Sequence, residues 1–129
     1  MAGQKILIAD DDPVSLTFVK SLLEDRGYEV VTTEDGESAM TALRVEQPDL
    51  FLTDVVMPYK SGFEILREMR RDPVLSIIPV VFLTMKDKEM DIVQALDQGA
   101  EDYLVKPVHA LELVARVKKI LQRAVVSAP

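Results

Sequence analysis

Two apolar segments of the chain each run straight into aspartate. Ile6-Leu7-Ile8-Ala9 ends in Asp10-Asp11-Asp12, and Leu50-Phe51-Leu52-Thr53 ends in Asp54. Adjacent carboxylates repel one another and are costly to keep together unless a cation is near. Mg²⁺ suits such a cluster: it takes octahedral oxygen ligands, keeps several waters, and is held by one or two carboxylates plus a phosphate group. Asp12 has a simpler role, because Asp followed by Pro13 matches an N-cap with proline at the first helical position. Capping accounts for one of the three, which leaves Asp10 and Asp11 for a metal. A lone Asp after a strand is ordinarily a cap or turn residue. Asp54 is instead followed by apolar Val55-Val56-Met57, and a carboxylate beside Mg²⁺ can serve as a nucleophile in aspartyl-phosphate chemistry.

Two further residue types fit that chemistry. Val81-Phe82-Leu83 ends in Thr84, whose hydroxyl can donate to a phosphoryl oxygen. Tyr103-Leu104-Val105 ends in Lys106, followed by Pro107. An ammonium facing the acidic cluster stabilises the acceptor carboxylate and then the phosphoryl oxygens. Pro107 permits a cis peptide, with trans the default for X–Pro.

These residues must be positioned by regular elements, and the patterning supplies them. Strands are expected at Lys5–Ala9, Tyr28–Thr33, Asp49–Thr53, Ile78–Leu83 and Asp102–Val105. Four are nearly continuous apolar runs, as in a parallel sheet buried on both faces. The second, with Glu29, Thr32 and Thr33, is more polar and is placed at an edge. Helices are expected at Pro13–Arg26, Glu37–Val45, Phe63–Arg71, Lys88–Gln98 and Ala110–Ala124. Val14, Phe18 and Leu22 form one candidate apolar stripe, and Leu113, Val117, Ile120 and Leu121 another. Gly27 and Gly99 stand just past helix ends, where a left-handed residue is commonly required. Five strands alternating with helices predict a doubly wound α/β fold, a five-stranded parallel sheet of order 2-1-3-4-5. In that order the first and third strands are neighbours at the switch point, where ligands bind at the strands' carboxyl ends. Those are the two strands that end in aspartate.

Composition sets the bounds. The 129 residues suit one domain, and 48% apolar content is ample for one core. With 15 Lys+Arg against 22 Asp+Glu, the net charge of −7 disfavours nonspecific binding to nucleic acid or anionic membrane. The chain has no cysteine, which excludes disulfides and thiolate metal sites and fits a reducing compartment. The apolar run after Met1-Ala2-Gly3-Gln4-Lys5 is too short for a signal peptide or membrane span. The expectation is a cytoplasmic protein with one domain over residues 1–124 and a tail or linker stub at 125–129.

In these motifs the chain resembles the receiver domain of two-component response regulators, from about Lys5 to Leu121. The matching pieces are Ile6-Leu7-Ile8-Ala9-Asp10-Asp11-Asp12, then Asp54-Val55-Val56-Met57-Pro58 with Gly62, then Leu83-Thr84, then Gly99-Ala100-Glu101-Asp102-Tyr103-Leu104-Val105-Lys106-Pro107. The resemblance implies Asp54 as phosphoacceptor, Asp11 as direct Mg²⁺ ligand, Asp10 assisting through water, and the Val56 carbonyl as the third protein ligand. It implies Thr84 and Lys106 as the groups that bind the phosphoryl, and Tyr103 as an aromatic switch that turns inward when Thr84 moves. It further implies a histidine kinase or phosphotransfer protein as donor, with readout to an effector by the face of the fourth helix, fifth strand and fifth helix. That face is also a candidate homodimer surface. The domain would be no enzyme beyond its own phosphoryl transfer and hydrolysis.

Two departures bear on rate. Met85 stands where the family usually has a small residue, so it is expected to narrow access to Asp54. Val56 and Lys86 occupy variable positions, and Val56 offers nothing to position an attacking water, so slow self-dephosphorylation is expected. A phosphohydrolase with an aspartate nucleophile often carries a second Asp two residues on, where this chain has Val56. A phosphate-independent interaction module is the other alternative, against which the full set of Asp11, Asp54, Thr84 and Lys106 argues. A nucleotide-binding loop is disfavoured, since no glycine lies between Ala9 and Pro13. His109 reads as structural, Met40, Met69 and Met90 as core or helix-interface filler, Glu68, Arg70 and Arg71 as a solvated helix end, and Asp35-Gly36 as turn chemistry.

Overall fold

A computed structural model describes residues 3–127, with side chains through residue 123. The order is β1 (Lys5–Ala9), α1 (Pro13–Glu24), β2 (Glu29–Thr33), α2 (Gly36–Glu46), β3 (Leu50–Thr53), α3 (Gly62–Arg71), a 3₁₀ turn (Leu75–Ile77), β4 (Val80–Thr84), α4 (Glu89–Asp97), β5 (Asp102–Val105) and α5 (Ala110–Ser127). All strand pairs are parallel and the sheet order is β2-β1-β3-β4-β5, as the patterning predicts. The polar β2 is an edge strand. β4 starts two residues later than expected: Pro79 still accepts from Phe51 N through its carbonyl but has no N–H to give, so regular pairing begins at Val80. α5 continues to Ser127, past the expected end at Ala124, and residues 128–129 of the expected tail lie outside the described residues.

Two apolar layers flank the sheet. Leu7, Phe51, Val80 and Phe82 pack with α2 and α3 through Ala39, Leu43, Ile65, Leu66 and Met69. Ile6, Ile8, Leu52, Val81 and Leu83 pack with α1 and α5 through Val19, Leu23, Leu113, Val117 and Leu121. The expected α5 stripe is therefore buried. Of the expected α1 stripe only Leu22 packs against the core; Leu16, Val19 and Leu23 face the sheet with it, whereas Val14 and Phe18 are exposed. α1 carries apolar residues on two stripes, and only docking selects one. Met40 and Met69 are core residues, but Met90 is 82% exposed on the outer side of α4.

The connections that shape the functional edge are tightly specified. Asp12 caps α1 by accepting from Val14 N, and Asp35 caps α2 by accepting from Ser38 N. Ser61 and Glu64 form a reciprocal capping box at α3. Gly62 has no room for a side chain: a Cβ there would lie 2.3 Å from the Asp54 carbonyl oxygen and 2.7 Å from the Phe82 ring. Gly99 has φ +99, as its place after α4 predicts. The end of α3 is not the solvated one expected. Arg70 is half-buried and donates to the carbonyls of Ser76, Ile78 and Gly99, while Glu68 pairs with Lys60.

Candidate functional site

The β1–β3 register aligns Ala9 with Thr53, so the residues that follow, Asp10 and Asp54, emerge side by side. Asp54 N donates to the Ala9 carbonyl at 2.9 Å and continues the ladder one step. Asp10 N donates to the Thr33 carbonyl on the other side. Asp10 is buried, Asp54 partly so, and Asp11 is exposed at the mouth. One carboxylate oxygen from each of the three lies within 4.8 Å of the others. That all-oxygen donor set, with Asp11 open to solvent, fits a hard divalent cation that retains waters.

The charges are partly balanced by Lys106. Its Nζ lies 2.6 Å from Asp10 Oδ2 and 3.2 Å from Asp54 Oδ2, bridging the two strand ends. Burial opposes the ammonium's charge, but the hydrogen bond to Asp10 and the charges of Asp54 and Asp10 outweigh it. The lysine is held above its ordinary value. The Lys106–Pro107 peptide is cis, where trans was the default expectation. The other oxygen of Asp54, Oδ1, accepts from Val55 N at 2.6 Å and Val56 N at 3.3 Å. Asp10 Oδ1 accepts from Asp12 N at 2.9 Å.

Thr84 is 1% exposed at the end of β4, beside β5. Its Oγ1 accepts from Lys86 N at 3.3 Å, and its carbonyl accepts from Lys106 N at 2.8 Å. Tyr103 turns inward and is 9% exposed, with its hydroxyl donating to the Lys86 carbonyl at 2.8 Å. Burial, together with the charges of Asp91, Asp54 and Asp87, pushes the phenol up to about 12. Its ring follows Phe82 at 5.9 Å, and Phe82 follows Phe63 at 5.2 Å, an aromatic chain beneath the site. Val56 and Met85 are exposed at the rim, 56% and 78% respectively. His109 is exposed, and its carbonyl accepts from Leu113 N in the first turn of α5.

The structure thus brings together Asp10, Asp11, Asp54, Thr84 and Lys106, drawn from four strand ends, with Tyr103 next to Thr84's partner Lys86. Sequence reasoning left Thr53 and Gly62 without roles. The signal for Thr53 was a hydroxyl closing an otherwise apolar strand, and for Gly62 a glycine inside the first turn of a helix.

A parallel doubly wound sheet with carboxylates, a lysine and a threonine converging at its switch point defines a flavodoxin-like α/β domain built around an acidic site. The chain belongs to the response regulator receiver domain family, which residues 6–118 match. It is 40% identical over 127 residues to the alkaline phosphatase synthesis transcriptional regulatory protein PhoP of Bacillus subtilis, covering 98% of this chain and 52% of that protein. Against protein PilH of Pseudomonas aeruginosa it is 39% identical over 117 residues, covering 91% of this chain and 97% of PilH. The chain spans about half the length of PhoP, and likewise of the DNA-binding response regulator MtrA and the phosphate regulon transcriptional regulatory protein PhoB. A receiver domain structure from Clostridium thermocellum superposes with a TM-score of 0.88 at 31% identity, covering 99% of this chain and all of that one. The chemotaxis response regulator CheY4 of Vibrio cholerae superposes with a TM-score of 0.84 at 30% identity, covering 93% and 98%. Among the described residues no helix is long and apolar enough to cross a membrane.

Proposed function

We propose that this receiver domain is a phosphoacceptor switch of the cytoplasm, in which Asp54 takes a phosphoryl group from a histidine of a partner kinase or phosphotransfer protein. The observation that carries the reading is Lys106 Nζ bridging Asp10 and Asp54 where the oxygens of Asp10, Asp11 and Asp54 converge. Asp54 attacks phosphorus, a P–O bond forms, the P–N bond to the donor imidazole breaks, and the imidazole nitrogen keeps the electron pair. Lys106 and the Thr84 hydroxyl then meet the charge on the phosphoryl oxygens. Asp11 directly, Asp10 through water, Asp54 and the Val56 carbonyl are the groups that would hold Mg²⁺. When bound, the ion supplies charge neutralisation between acceptor and phosphoryl group.

The readout runs through one backbone residue. Lys86 gives its N–H to Thr84 and its carbonyl to Tyr103. Movement of Thr84 toward a phosphoryl group releases the first contact and shifts the carbonyl that holds Tyr103. α4 is the element that responds: Ala95 is its one buried hydrophobic residue, and its N-cap Lys88 makes no side-chain capping bond. Exposed Met90, Val93 and Leu96 of α4, Val105 of β5 and Leu111 of α5 offer an effector, or a second copy, an apolar face. Incubation with Mg²⁺ and acetyl phosphate, or with beryllofluoride, tests the reading against Asp54→Asn. Wild type should gain one phosphoryl group and Asp54→Asn none. Equal uptake, or none by wild type, sinks it and leaves the phosphate-independent interaction module.

A further inference from the structure

We propose that Thr53 is a positioning residue for Asp54, acting through the peptide that joins Asp54 to Val55. The inference deepens the phosphoacceptor reading above. Thr53 is 1% exposed at the end of an apolar strand, a costly place for a hydroxyl without a purpose. Its Oγ1 donates to the Asp54 carbonyl at 2.9 Å, and its next neighbour, Met57 Sδ at 3.9 Å, is a weak acceptor. The peptide bond is planar and trans, so its C=O and N–H point in opposite directions as one rigid unit. Holding the Asp54 carbonyl therefore aims the Val55 N–H, and that N–H donates to Asp54 Oδ1 at 2.6 Å.

Two further contacts fix this stretch of backbone. Asp54 N, in the preceding peptide, is tied to the Ala9 carbonyl, and Gly62 sits against the Asp54 carbonyl too closely for a side chain. With Oδ1 held by backbone amides, Oδ2 is the oxygen presented toward Lys106. Thr53 thus selects which carboxylate oxygen faces the reacting phosphorus without touching either.

Thr53→Val removes the hydroxyl while keeping shape and strand preference, and Thr53→Ser keeps the hydroxyl. The Val55 amide proton is read by NMR without phosphodonor, and phosphorylation by acetyl phosphate is followed separately. The short Val55 N–H bond should give a downfield resonance that moves upfield in Thr53→Val and returns in Thr53→Ser. The limiting phosphorylation rate should fall about fivefold in Thr53→Val, as loss of one ordinary hydrogen bond gives. The half-saturating donor concentration should not change. An unmoved Val55 resonance in folded Thr53→Val, or no recovery in Thr53→Ser, overturns the proposal. So does a loss confined to the half-saturating concentration. If wild type takes up no phosphoryl group, the phosphoacceptor reading fails while the Val55 resonance still decides the positioning role.

Discussion

Lys106→Met is the perturbation that separates charge balance from packing at this site. The methionine keeps an unbranched stem of similar length and removes the ammonium. At an effective dielectric of about 20, contacts of 2.6 Å to Asp10 and 3.2 Å to Asp54 represent gross attractions of about 6 and 5 kcal/mol. Desolvating the ammonium offsets much of that, so the sum is not the net effect. What the variant leaves is two carboxylates, 4% and 12% exposed, facing each other without a counter-ion. Breaking such a pair from one side costs about 3–5 kcal/mol, and the open Asp11 side of the site places the expectation near the lower end, about 3 kcal/mol. That is a large share of the roughly 5–15 kcal/mol that holds a domain of this size together. The assay is urea unfolding in metal-free buffer and again with Mg²⁺. Lys106→Met should lose about 3 kcal/mol without metal and recover part of it with metal, more than wild type gains. Adding Asp54→Asn should also recover stability, because the facing charge is gone. A variant as stable as wild type in metal-free buffer, or no greater gain from Mg²⁺, refutes the reasoning.

Other expectations follow from specific contacts. Gly62→Ala should destabilise the fold by about 1–3 kcal/mol, because the atom its Cβ meets is the Asp54 backbone carbonyl, which accepts from the Thr53 hydroxyl; an unchanged melting temperature would show that α3 can slide away. Tyr103 should ionise near pH 12, read as the difference in ultraviolet titration between wild type and Tyr103→Phe. A folded value raised above the unfolded one means the folded state keeps its proton longer, so stability should decline as pH rises from about 10 to about 12. Ionisation at an ordinary tyrosine value would contradict the inward, desolvated ring. Once phosphorylated, the domain should dephosphorylate slowly, since the side chain of Val56 has no polar group to orient water. Complete loss of the phosphoryl group within seconds at neutral pH with Mg²⁺ would overturn that.

Much of the molecule was legible because burial on both faces of a parallel sheet leaves continuous apolar runs. Ile6–Ala9 and Leu50–Thr53 announced buried strands, and right-handed crossovers then placed their terminal aspartates at one switch point. The cap at Asp12 and the turn at Gly99 were readable because they depend on local backbone geometry alone, whereas Asp35, read as turn chemistry, proves to be the N-cap of α2. What depends on distant atoms was not. α1 carries two apolar stripes, and periodicity cannot say that Leu16, Val19 and Leu23 dock while Val14 and Phe18 remain outside. Arg70 looks like any surface arginine until the 3₁₀ turn and the end of α4 bring three carbonyls to it.

By itself the sequence determined which residue types end which strands, and from that the sheet order, the acidic cluster and the lysine opposite it. Only the tertiary structure decided that Lys106 bridges Asp10 and Asp54, that Tyr103 lies inward on the Lys86 carbonyl, and that Thr53 and Gly62 hold the peptide beside the acceptor. The reason is physical. A strand's pattern reports how much water its side chains meet, whereas hydrogen bonds and close approaches are made among atoms that come together only when the sheet and its helices pack.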